Sequence, residues 1–128
     1  MPESTAHGFG RVLVAVYAVF ALAATARSVV QIATRFGDAP LAYLLSAFAG
    51  VVYIVATIAL GLGRATTRQV AYTAILIELV GVLAVGTLSI VEQDWFPDAT
   101  VWSDFGQGYG YVPLVLPFIG LWWLRRTR

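Results

Sequence analysis

The chain has no cysteine, which excludes disulfides, thiolate metal sites and iron–sulfur clusters whatever compartment its loops occupy. It has one histidine, His7, so no pair of imidazoles exists to clamp a b-type haem between helices. Lysine and asparagine are missing, and arginine supplies every basic residue other than His7. Charge of either sign is scarce: 12% of residues are charged and the formal net charge is +1. No basic cluster is interleaved with aromatics, so the electrostatic footprint of a nucleic-acid binder is missing. A soluble domain of 128 residues needs more charge than this on its surface. What is present instead is apolar, with 59% hydrophobic residues and a mean hydropathy of +0.80. Lipid rather than water must face most of such a surface, and the bilayer is the first partner implied. The length allows one integral membrane domain, residues 1–128.

Four helices are predicted, at about 11–35, 41–63, 69–91 and 109–124. About 20 residues at a rise of about 1.5 Å each cross a hydrocarbon core of about 30 Å. The first run, Val12 to Thr34, meets that length without a helix breaker, and Gly37, Asp38 and Pro40 turn the chain. The second, Leu41 to Leu62, carries no charge and ends at Gly61 and Gly63. The third, Val70 to Val91, carries one carboxylic acid, Glu78, near its middle. The fourth, Tyr111 to Leu124, is short, contains Pro113 and Pro117, and needs Tyr109 and the Trp122-Trp123 pair to reach the interfaces. The fold class is therefore an all-α membrane protein, a four-transmembrane-helix bundle with a structured outer loop, residues 92–110, between helices three and four.

Short arginine-bearing loops stay in the cytoplasm during insertion. Arg11, the Arg64/Arg68 loop and the tail Arg125, Arg126, Arg128 alternate sides as an N-in, C-in protein of the plasma membrane requires. Glu92, Asp94, Asp98 and Asp104 all fall outside, and only Arg35, with Arg27 by depth, votes against. Arg11, the apolar stretch and Ala24-Thr25-Ala26 also resemble a signal peptide with an A-x-A cleavage site, which would make residues 1–26 a removable leader. The length of the apolar region and Arg27 directly after the cut favour a retained helix.

An acidic side chain near the bilayer centre costs on the order of 2.5 to 3.5 kcal/mol on insertion scales, so Glu78 needs a reason. Ala71, Ala74, Gly81 and Val85 share its helix face, which points it into the protein against a closely approaching neighbour. Two readings fit. Glu78 is a proton- or cation-coupling site of a small transporter, or a structural acid bonded to Tyr17, Tyr53 or Thr57, which lie at comparable depth; polar residues commonly hold membrane helices together, which favours the second.

Arg27, Gln31 and Arg35 recur every fourth residue and form one polar stripe on the outer half of helix one. The stripe is expected to face Glu92, Asp94, Asp98 and Asp104, whose carboxylates suit the guanidinium fork. It is read as a loop-to-helix ion pair or, functionally, as an anionic headgroup site. The loop itself is expected to hold Trp95, Phe96, Trp102, Phe105 and Tyr109 at headgroup level, with a short interfacial helix from Pro97-Asp98 to about Phe105 and a turn at Gly106, Gly108 and Gly110. Phe-Gly-Gln-Gly-Tyr-Gly is no phosphate loop, since no strand precedes it and no Lys-Ser or Lys-Thr follows. The acidic spacing matches no metal loop, and no cofactor is implied.

Ala42, Ser46 and Gly50 on helix two, with Ala74 and Gly81 on helix three, carry the small-residue pattern that lets helices approach in lipid, within the chain or in a second copy. No Ser/His/Asp or Cys/His set can be assembled, so an enzyme is the least supported class. Residues 97–106, Pro-Asp-Ala-Thr-Val-Trp-Ser-Asp-Phe-Gly, and 111–114, Tyr-Val-Pro-Leu, within the stretch 97–124, resemble small actinobacterial four-helix integral membrane proteins of unassigned function. The resemblance implies a four-helix membrane protein and transfers no activity or site residue. The function expected is a non-catalytic accessory or assembly subunit of a membrane complex, with the Glu78 transporter and a headgroup-binding protein as alternatives.

Overall fold

The computed structural model describes residues 5–127; residues 1–4 and Arg128, counted above in the basic tail, lie outside them. The regular structure of the described residues is helical throughout: α1 (Phe9–Arg35), α2 (Pro40–Leu62), α3 (Ala65–Val91) and α4 (Val112–Arg126), with short 3-10 segments at Phe36–Asp38, Gln93–Trp95 and Ser103–Tyr109. Local chemistry sets the boundaries. Pro40 opens α2, where its missing N–H leaves nothing unsatisfied, and Gly63 ends it in the left-handed conformation at φ 63°. Thr67 Oγ1 accepts the Arg64 N–H at 3.2 Å, so α3 starts at Ala65, earlier than the apolar run that begins at Val70. α4 starts three residues later than the expected 109, because Gly110 and Tyr111 are left-handed. α1 runs unbroken through Ala24-Thr25-Ala26.

Three helices are long and apolar enough to cross a membrane. At about 1.5 Å per residue the 27 residues of α1 and of α3 span about 40 Å, and the 23 of α2 about 35 Å. The 15 residues of α4 span only about 22 Å. Outward-facing apolar side chains such as Leu22, Ile58 and Val80 cover the three long helices.

Side-chain bonds show that the helices alternate in direction. The starts of α1 and α3 meet the ends of α2 and α4 at one end. There Thr5 Oγ1 donates to the Leu60 carbonyl at 2.8 Å, Trp123 Nε1 donates to the Thr5 carbonyl at 3.0 Å, and the Arg68 guanidinium donates to the Leu124 carbonyl and, at 3.1 Å, to Thr127 Oγ1. Arg68 thus serves carbonyls that the last turn of α4 leaves unpaired. Phe9 packs edge-on against Trp122 and Trp123, with ring centroids 5.9 and 5.5 Å away. The opposite end, here the loop end, gathers the last turns of α1 and α3, the start of α2 and the α3–α4 connection. One buried cluster runs between the two ends, fed by all four helices and by Val101 and Trp102 of the connection.

Candidate functional site

Two polar places stand out: a row of buried groups about halfway along the long helices and a depression at the loop end.

Glu78 lies at the midpoint of α3, with Ala65 and Val91 each thirteen residues away, and it is 0% exposed. The Tyr17 hydroxyl, from α1, donates to Glu78 Oε1 at 2.6 Å. Gly120 on α4 makes room for this contact, since a Cβ there would lie 3.1 Å from the Tyr17 hydroxyl and 2.9 Å from Ile75 Cδ1. The Tyr53 ring, from α2, sits 6.2 Å from the Tyr17 ring, and its hydroxyl accepts Trp102 Nε1–H at 2.8 Å. Trp102, Tyr53, Tyr17 and Glu78 therefore form a buried row from the connection across α2 and α1 to α3. Of the three partners considered for Glu78, only Tyr17 bonds it. Tyr53 is turned to Trp102, and Thr57 Oγ1 donates at 2.6 Å to the Tyr53 carbonyl of its own helix, the usual way a threonine is satisfied inside lipid. Glu78 Oε2 is buried with no hydrogen-bond partner among the described residues.

The connection departs from expectation. No helix runs from Pro97 to Phe105, because Thr100 and Ser103 bond each other locally. The Thr100 N–H donates to Ser103 Oγ at 2.8 Å and the Trp102 N–H donates to Thr100 Oγ1 at 3.0 Å. That turn drives Trp102 inward, to 1% exposure rather than to headgroup level. Its indole lies on Gly81, where a Cβ would approach to 2.5 Å, and Phe105 lies on Gly86, where a Cβ would approach to 2.4 Å. Gly81 is accordingly a seat for a loop side chain and not a helix–helix contact, while Ala74 of the same stripe is buried in the core. Seating both rings requires left-handed backbone at Asp104, Phe105 and Tyr111, with φ of 52°, 61° and 62°. Such conformations cost on the order of 1–3 kcal/mol each and persist only where packing over-determines them.

The arginine stripe is resolved residue by residue. Arg35 pairs with Asp98 at 3.9 Å, the arginine exposed and the aspartate half-buried, and Asp98 also accepts the Tyr43 hydroxyl at 3.0 Å. Gln31 is 3% exposed, with its Oε1 unpartnered among the described residues. Arg27 meets no carboxylate at ion-pair distance among the described residues; its two terminal nitrogens donate, both at 3.3 Å, to the Tyr109 hydroxyl and the Ala99 carbonyl. Glu92 and Asp94 are exposed and away from the stripe, so among the described residues only Asp98 of the four loop acids meets an arginine. The reason is the inward pull of Trp102 and Phe105, which places 98–99 rather than 92–94 beside α1. Asp104 is tied instead to the last turn of α3: its N–H donates to Ser89 Oγ at 2.8 Å.

Ala42, Ser46 and Gly50 are all buried, and a Cβ on Gly50 would lie 2.9 Å from Thr25 Oγ1 and 3.3 Å from the Thr25 nitrogen. This stripe is used against α1 of the same chain. Among the described residues no group of His, Asp and Glu side chains gathers to hold a metal ion. No protein-family model, curated protein or solved structure matches this chain.

Proposed function

We propose that the chain is a small non-catalytic protein of the plasma membrane, an accessory or assembly subunit that presents its α3–α4 connection to another membrane protein. In this reading all four helices cross, with both termini cytoplasmic, and α4 completes its crossing with the aromatic residues at its ends. The observation that carries the proposal is the anchoring of the connection. Trp102 and Phe105 are locked into glycine seats, while Trp95, Glu92 and Asp94 of the same segment stand exposed. A surface held rigid before binding loses little conformational entropy on contact, and aromatic residues on such a surface are strong anchors. The small-residue stripe of α2 is consumed inside the chain, which leaves the connection as the surface to present.

Affinity purification from native membranes in mild detergent tests this. A membrane protein should co-purify with the wild type and be lost with Trp95→Ala; recovery of the chain alone under several solubilisation conditions overturns the proposal. The unpartnered Glu78 Oε2 favours a second reading, a proton- or cation-coupled transporter. Coupled flux in liposomes that Glu78→Gln abolishes supports it; equal flux in both proteins, or none in either, removes it.

A further inference from the structure

At the loop end Arg27 on α1 and Thr100, Ser103, Asp104, Gln107 and Tyr109 of the connection line an open depression of about 660 Å³. Its charges are of opposite sign and stand apart, because no ion pair joins Arg27 to Asp104. We propose that this depression binds a zwitterionic phosphate ester bearing a primary amine, with the phosphate on Arg27 and the ammonium on Asp104.

Four observations lead there. First, Arg27 is the guanidinium of the stripe left without a carboxylate, since Asp98 is taken by Arg35. It makes two long bonds, at 3.3 Å, to neutral acceptors, whereas a guanidinium has five donors and binds phosphate through shorter paired bonds of about 2.7–2.9 Å. Tyr109 and Ala99 hold the fork in place without neutralising it. Second, the Asp104 side chain has one long contact, 3.5 Å from Ser89 Oγ, and is exposed on the wall of the same depression. Third, the walls are built before any ligand arrives. Thr100 and Ser103 are buried and bonded to each other, Tyr109 packs against Phe20 with ring centroids 5.6 Å apart, and the flanking Trp102 and Phe105 sit in their glycine seats. Fourth, the depth is within reach of lipid headgroups. α1 exceeds an about 30 Å hydrocarbon core by about 10 Å, and Arg27 lies about 12 Å before its last residue, Arg35; with that excess at the loop end Arg27 stands about 2 Å inside the core boundary, a depth from which an arginine side chain extends to the phosphates. The depression at the other end, lined by Arg68 and Arg125, offers positive charge alone among the described residues.

Two sources present this chemistry, a phosphatidylethanolamine headgroup and a soluble phosphoethanolamine, and the site depends on membrane placement but not on a protein partner. The test uses the full chain in nanodiscs of equal parts phosphatidylethanolamine, phosphatidylglycerol and phosphatidylcholine, with retained lipid read by native mass spectrometry. Phosphatidylethanolamine should be retained over both others, because the glycerol headgroup lacks the cation and the choline headgroup lacks an N–H for Asp104. Arg27→Gln should lower its retention about ten-fold, the scale of a lost charge-assisted hydrogen bond. Asp104→Asn, which the left-handed backbone tolerates, should transfer the preference to phosphatidylglycerol. Arg11→Gln, at the opposite end of α1, should change nothing. In a second arm, O-phosphoethanolamine and inorganic phosphate are titrated onto lipid-free protein in detergent: stabilisation by the former alone assigns a soluble ligand as well, and none assigns the lipid. Equal retention of all three lipids overturns the proposal, as does a loss with Arg11→Gln equal to that with Arg27→Gln, or unchanged retention in Arg27→Gln. Should Arg27→Gln lose its helical circular dichroism, the switch of preference in Asp104→Asn decides alone.

Discussion

Gly50 on α2 and Gly81 on α3 look alike in the sequence, each in a stripe of small residues on an apolar helix, yet the structure uses them in different ways. At Gly50 the missing side chain lets the backbone of α1 come in at Thr25. At Gly81, and again at Gly86, it leaves a hollow that an aromatic ring from the connection fills. One side of the molecule is thus closed by helix against helix, the other by a loop pressed into a helix. The contrast teaches that a small-residue stripe reports only that something approaches closely. In lipid, where no hydrophobic drive separates one apolar surface from another, packing density decides what that something is.

The comparison can be broken at its strongest point by Trp102→Ala. Losing a buried indole should cost about 3–5 kcal/mol in reversible unfolding in bicelles. Gly81→Val should act in the same direction, and the double variant should lose less than the sum, because one change removes the ring and the other fills the seat it occupies; strict additivity would show that the ring and the glycine are not one unit. On the helix–helix side Gly50→Val should cost about 1–3 kcal/mol by overpacking. Thr25→Ala should return part of that loss, while Trp102→Ala added to Gly50→Val should be additive, since the seats are separate. The smallest effect belongs to the buried row: Tyr17→Phe removes one hydrogen bond, worth about 0.6–1.7 kcal/mol between membrane helices. The same substitution in a Glu78→Leu background should cost nothing further through that bond, and an unchanged cost there would place the role of Tyr17 in packing.

Much of the helical order was legible because it rests on local composition. The apolar runs, Pro40 and Gly63 located three long helices to within a few residues. Glu78 and the Arg27, Gln31, Arg35 stripe were legible for the same reason, as polar groups where polar groups are costly. Their partners were not. Tyr17, Tyr53 and Thr57 lie at similar depth, and depth alone cannot say which hydroxyl turns toward Glu78. The assignment depended on Trp102 claiming Tyr53 and on Thr57 bonding its own helix. Likewise, four loop acids were equal candidates for two arginines until the turn at Thr100–Ser103 carried Asp98 alone to α1.

What the sequence determined by itself, then, is the solvent and the secondary structure: a chain with so little charge and such long uninterrupted apolar runs must satisfy its backbone internally, and helices do so within one segment. The course of the connection was decided only by tertiary structure. Trp102 and Phe105 read as interfacial aromatics because nothing adjacent in the chain marks them as buried. The glycines that receive them precede them by 21 and 19 residues and become their neighbours only when α3 and the connection fold together. Left-handed backbone at Asp104, Phe105 and Tyr111 is disfavoured by those residues individually, and it exists because two ring seats outweigh it.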